Sequence, residues 1–157
     1  MTQAAPAARP LAMPTALAFS TIALPLGALA VAISVYLPPH LSAHLGVPLS
    51  IVSLAFATVR MLDLGVDPVL GLVMDRTRTR LGRYRVWILI GGPILMAAVY
   101  ALFQAKAGIG ATYLIVWLLV FYLGNSILSL GHSAWAATLA TEYNQRSRMF
   151  GILAAAG

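Results

Sequence analysis

The stretch PLSIVSLAFATVRMLDLGVDPVLGLVM, Pro48–Met74, runs directly into DRTRTRLGRYR, Asp75–Arg85, and this pair of segments decides how the chain is read. The first is apolar except for a few small polar residues and three charges, Arg60, Asp63 and Asp67. At 1.5 Å per residue it is long enough to cross about 30 Å of hydrocarbon as a helix. The second holds Arg76, Arg78, Arg80, Arg83 and Arg85, half of the ten basic residues in the chain. An apolar span that ends in clustered arginines marks a transmembrane helix emerging on the cytoplasmic side.

Working outward, further apolar runs predict helices over 15–37, 86–104 and 111–137, with the central one over 48–74. The first is expected to stop at Pro38-Pro39, leaving His40 and His44 in an outer loop. Residues 149–157 open a fifth apolar segment too short to cross a bilayer, so the chain is expected to continue into a fifth helix that it does not complete. Residues 1–14 are Ala/Pro-rich and predict a disordered cytoplasmic tail. The fold class is therefore all-α, a polytopic membrane helix bundle. Composition agrees: 61% of residues are apolar and 9% charged, with a mean hydropathy of +0.89, whereas a soluble domain carries about a quarter charged residues. The net charge of +6 is concentrated in loops rather than spread over one face, so no nucleic-acid partner is expected. Arginines in the 2–3 loop, with Arg146 and Arg148 after helix 4, put the N-terminus in the cytoplasm. The chain has no cysteine, which excludes disulfides and thiolate sites. Tyr84 and Trp87 are read as interfacial anchors.

Three charges within one span demand a reason, because each costs on the order of 2.5–3.5 kcal/mol on insertion scales. At 100° per residue Arg60, Asp63 and Asp67 fall within an arc of about 60°, and Ser53 and Gly71 extend the same stripe. Asp63 lies about 18 Å along the axis from Asp75, near mid-membrane, where transporters keep coupling sites. One arginine against two carboxylates leaves the group net negative, suited to one cation. A buried salt bridge that merely locks helices is the plainer alternative.

The run Arg60-Met-Leu-Asp-Leu-Gly-Val-Asp-Pro-Val-Leu-Gly71, with Asp75–Arg85, Trp87–Gly91, Trp135 and Glu142-Tyr-Asn-Gln-Arg-Ser-Arg148, resembles the glycoside-pentoside-hexuronide:cation symporter family of the major facilitator superfamily. The resemblance implies that the four helices and the start of a fifth belong to an N-terminal six-helix half. It also implies alternating access in a bacterial inner membrane, and a cation site of Asp63, Asp67 and Arg60. Asp75, Arg76, Arg78, Arg80, Gly82, Arg83 and Arg85 would form a cytoplasmic gate loop. Trp135 matches a family position on the solute pathway.

Gly27, Gly131 and Ala156 stand where a sugar carrier of that family has charged sugar ligands. The solute is therefore a sugar or another small molecule, with Asn125, Ser126, Ser129, His132 and Ser133 as alternative polar liners of helix 4. Of these, Asn125, Ser129 and His132 join Trp135 as solute-pathway candidates. Val66 replaces a family Asn oxygen beside the two carboxylates. Sodium needs several oxygens and a proton needs one carboxylate, which favours proton over sodium as coupling ion. No other metal and no cofactor are expected. The expected partners are membrane lipid and a small solute, with the full-length protein a monomer. A lysolipid or amphipath carrier, an intramembrane aspartyl enzyme using Asp63 and Asp67, and a non-transporting scaffold are the alternatives.

Overall fold

The computed structural model describes residues 21–139 except Leu81 and Ala107, together with Ser147, Gly151 and Ala154. The 1–14 tail, the Glu142–Arg148 motif apart from Ser147, Ala156, and the fifth helix apart from Gly151 and Ala154 lie outside the described residues. Within them are four helices long and apolar enough to cross a membrane: α1 (Ala23–Leu45), α2 (Leu49–Arg76), α3 (Arg85–Phe103) and α4 (Ala111–Leu139). Successive helices alternate in direction, and α4 packs against each of the other three.

The first helix departs from expectation. It does not stop at Pro38-Pro39 but runs on to Leu45, so His40 and His44 lie on helix and not in a loop. The cause is a π-helical turn over Ala32–Tyr36, after which the prolines sit at the first positions of a renewed α-helix, Leu37–Leu45. A proline there gives up an N–H that would otherwise lack a partner, and the wider turn before it relieves the clash with the preceding carbonyl. The two imidazoles stack with centroids 5.0 Å apart. The helix ends at Gly46, whose φ of 68° is left-handed, and Val47 N–H closes the turn on Leu41 O at 3.1 Å. That leaves a three-residue connection to α2, which requires α1 and α2 to lie side by side.

The buried apolar core gathers at one end of the bundle. It draws on the C-terminal half of α1 (Ile33, Leu37, Leu41), the start of α2 (Val52, Ala55, Val59), the end of α3 (Leu95, Ala98, Leu102) and the start of α4 (Leu114, Leu118, Phe121). This is the end farthest from the arginine loop. The outer faces carry large apolar side chains in the open, such as Met61 at 72% and Met96 at 73% exposure, which is tolerable against lipid and not against water.

Small residues set the helix spacing. On α4, Gly124 lies so near α3 that an added Cβ would stand 2.9 Å from Leu95 N, and on α3 a Cβ at Gly91 would stand 2.7 Å from Ile127 Cγ2. Close backbone approach of this kind replaces the hydrophobic driving force that lipid removes. Gly131, one of the departures from the family pattern, belongs to the same seam: it is buried, and a Cβ there would meet Ile88 Cγ1 at 3.3 Å.

Candidate functional site

Asp63 continues the buried stripe Val52, Ala55, Val59 of α2 one turn further, which carries its carboxylate into the seam with α4 just past the apolar core. It is 6% exposed. Both oxygens are held. Arg60, one turn earlier on the same helix, donates from Nη1 to Asp63 Oδ2 at 3.0 Å, and Ser126 of α4 donates its hydroxyl to Asp63 Oδ1 at 3.1 Å. The Arg60 guanidinium lies 5.8 Å from the centre of the Tyr122 ring, within reach of a cation–π contact. Its side chain is 64% exposed, so the cation reaches inward from the bundle's edge to meet a carboxylate that is inside.

Asp67 stands apart from this network. It is half-buried, and its Oδ1 is shielded from solvent without a hydrogen-bond partner. An orphaned carboxylate oxygen is costly and is the kind of atom that a proton or cation satisfies. Arg60, Asp63 and Asp67 thus share a helix face, but the structure joins only the first two. A cavity of about 170 Å³ opens beside Asp63, lined by Val66, Leu119, Val120, Tyr122 and Leu123. Its wall is apolar apart from the Asp63 carboxylate and the tyrosine, and Val66 contributes no oxygen to it.

The helix 4 candidates divide. Ser126, which the sequence offers only as one polar liner among five, is the residue that binds Asp63. Tyr122 is absent from the residues that sequence reasoning singles out. Its spacing from Ser126, one turn along α4, is the signal that could have found it. Ser129 is turned to its own helix, donating to Ser126 O at 3.3 Å. Asn125 is half-buried and His132 is buried, at 3% exposure. Trp135 lies about 13 Å beyond Ser126 along the axis, at the loop end of α4, where the Arg85 guanidinium lies 5.0 Å from its ring centre.

The arginine loop is a built turn. Thr79 Oγ1 donates to Gly82 O at 2.9 Å and Gly82 N–H to Thr79 O at 3.2 Å, closing a bend in which Gly82 adopts a φ of 103°, open to glycine and strained for other residues. Tyr84 donates its hydroxyl to Asp75 Oδ1 at 2.9 Å and Trp87 donates Nε1 to Thr77 Oγ1 at 3.2 Å. Both aromatics, read from the sequence as interfacial anchors, therefore staple the end of α2 to the start of α3. Among the described residues, Asp75 is engaged by Tyr84 and forms no ion pair with the neighbouring arginines.

Removing the Ser126 hydroxyl tests the seam. Ser126→Ala deletes a hydrogen bond to a charged acceptor, and in the complete protein it is expected to cost about 1.5–3 kcal/mol, read as a fall in unfolding temperature in detergent. No change would mean that Asp63 and Ser126 do not meet.

Four long apolar helices with a carboxylate held between two of them mark, among the described residues, a polytopic membrane protein. The family described as MFS/sugar transport protein matches residues 18–156, and the chain belongs to that family, in agreement with the resemblance its charged motifs carry. It is 38% identical over 65 residues to a lactose permease of Lactobacillus helveticus, covering 41% of this chain and 10% of that protein. It is 32% identical over 106 residues to the raffinose carrier protein of Pediococcus pentosaceus (63% and 16%). It is 46% identical over 46 residues to the inner membrane symporter YicJ of Escherichia coli (29% and 10%). The matched stretches thus span a tenth to a sixth of these relatives. No solved structure matches significantly. Membership in a family of transport proteins sets aside the aspartyl enzyme.

Proposed function

We propose that these helices serve a cation-coupled secondary symporter of a sugar or other small solute, working by alternating access, with Asp63 as the coupling carboxylate. The observation that carries this reading is the Asp63 carboxylate itself, buried between α2 and α4 beside a cavity, with the unpartnered Asp67 oxygen one turn away. A buried salt bridge with a purely locking role would leave Asp67 unexplained. Proton is the preferred coupling ion. The Asp63 oxygens already take donors from Arg60 and Ser126, and Val66 offers none of the extra oxygens sodium wants.

Relatives named as lactose and raffinose carriers favour a glycoside, and the glycines at Gly27 and Gly131 argue against the family's charged sugar ligands. A lysolipid or amphipath carrier is the second reading, favoured by the apolar cavity wall. The setting proposed is a bacterial inner membrane, with a monomeric full-length protein, the N-terminus in the cytoplasm, and Asp75–Arg85 as the cytoplasmic gate loop. The deciding measurement is uptake of labelled lactose and raffinose by vesicles holding the complete protein, under an imposed pH gradient or an imposed sodium gradient. Accumulation is expected with the pH gradient at zero sodium. Dependence on sodium at constant pH would reverse the choice of ion, and accumulation of either sugar with no gradient would overturn coupling.

A further inference from the structure

The segment Asp75–Arg85, from the last turn of α2 to the first residue of α3, carries five arginines against one carboxylate, and that carboxylate is already engaged by Tyr84. Arg85 is turned to Trp135. Arg78, Arg80 and Arg83 are exposed, and among the described residues none of the three has an ion-pair partner. They are not scattered. The Thr79–Gly82 bend and the two aromatic staples fix the backbone between them, and with Thr77 and Thr79 they surround an open recess of about 560 Å³. Both threonine hydroxyls are spent on backbone carbonyls, Thr77 on Val73 O and Thr79 on Gly82 O. What the recess presents is therefore guanidinium groups. Guanidinium favours an oxyanion that takes paired donors, a phosphate above all. The recess lies at the end of the α2 span, next to the interfacial pair Tyr84 and Trp87, at the depth where lipid headgroups sit.

We infer that Arg78, Arg80 and Arg83 form a binding site for the headgroup phosphate of an anionic phospholipid. The site lies at the surface and uses none of the Asp63 network, so it stands or falls separately from the coupling reading. A preformed bend costs less ordering on binding than a mobile basic tail would, and a bound headgroup would tie the α2–α3 connection to the membrane surface.

The test uses the complete protein in a neutral detergent, titrated with phosphatidylglycerol, with phosphatidylcholine and with inorganic phosphate, and read by thermal stabilisation and by native mass spectrometry. Phosphatidylglycerol is expected to bind saturably and at least tenfold more tightly than phosphatidylcholine. Each of R78Q, R80Q and R83Q is expected to lose roughly fivefold in affinity. R76Q removes the same charge from the last turn of α2, outside the recess, and is expected to change affinity less than twofold. Equal losses in R76Q and R80Q would reduce the effect to net charge and overturn the site. So would equal binding of the two lipids by the unmutated protein, a result that needs no variant. Displacement of the lipid by millimolar phosphate would assign the recess to free phosphate and overturn the lipid assignment.

Discussion

Asp63→Asn in the complete protein is expected to abolish uphill accumulation of solute while leaving exchange down a gradient intact. One cation carried across 100 mV supplies about 2.3 kcal/mol, enough to sustain a solute gradient of about 50-fold. A carrier that no longer binds that cation brings the ratio to about one. The substitution is well suited to the site. The amide keeps an oxygen that accepts from Ser126, and Arg60, with its side chain 64% exposed, loses an ion pair without being stranded inside the bundle. Misfolding is thus separable from uncoupling: counterflow of labelled solute should persist in the same vesicles. If vesicles holding the Asp63→Asn variant accumulate solute to the unsubstituted level, the carboxylate is structural and the coupling assignment fails. If counterflow is lost as well, the side chain serves the solute and not the ion.

The second large effect is expected at a residue with no chemistry. Gly124→Val should collapse the yield of folded protein, at a cost of about 3 kcal/mol or more, toward the upper end of what overpacking does. The added Cβ would stand 2.9 Å from Leu95 N and 3.0 Å from Leu95 Cα. Those are backbone atoms, which cannot rotate away, so α3 and α4 would have to separate along their whole contact. Gly92→Ala is the control, since a Cβ there meets nothing within 4 Å and alanine is the better helix former. Unfolding temperature in detergent should fall steeply for the first and hold or rise slightly for the second. Equal behaviour would place the α3–α4 spacing somewhere other than at Gly124.

Much of this molecule is legible from periodicity and charge. Four apolar runs announce four spans because the bilayer admits only backbones that satisfy their own hydrogen bonds, and that constraint acts within each segment. The placing of Arg60, Asp63 and Asp67 on one face of α2 follows in the same way from helix geometry alone. The first helix is legible only in part. Pro38-Pro39 reads as a stop, and the π-turn over Ala32–Tyr36 that lets the helix pass has no sequence signal of comparable strength.

Amino-acid order alone was thus enough for the four apolar spans, though not for where the first one ends, and for which residues place charge within a span, all of which depend on a single segment meeting its solvent. The Arg60–Asp63 pair forms within α2, but packing between helices was needed to bring Ser126, rather than Ser129 or Trp135, to the carboxylate. It also turned Gly124 and Gly131 into points of close approach. Those outcomes depend on the rotation and separation of α2, α3 and α4 about one another, and residues far apart in the chain meet only once that packing is fixed.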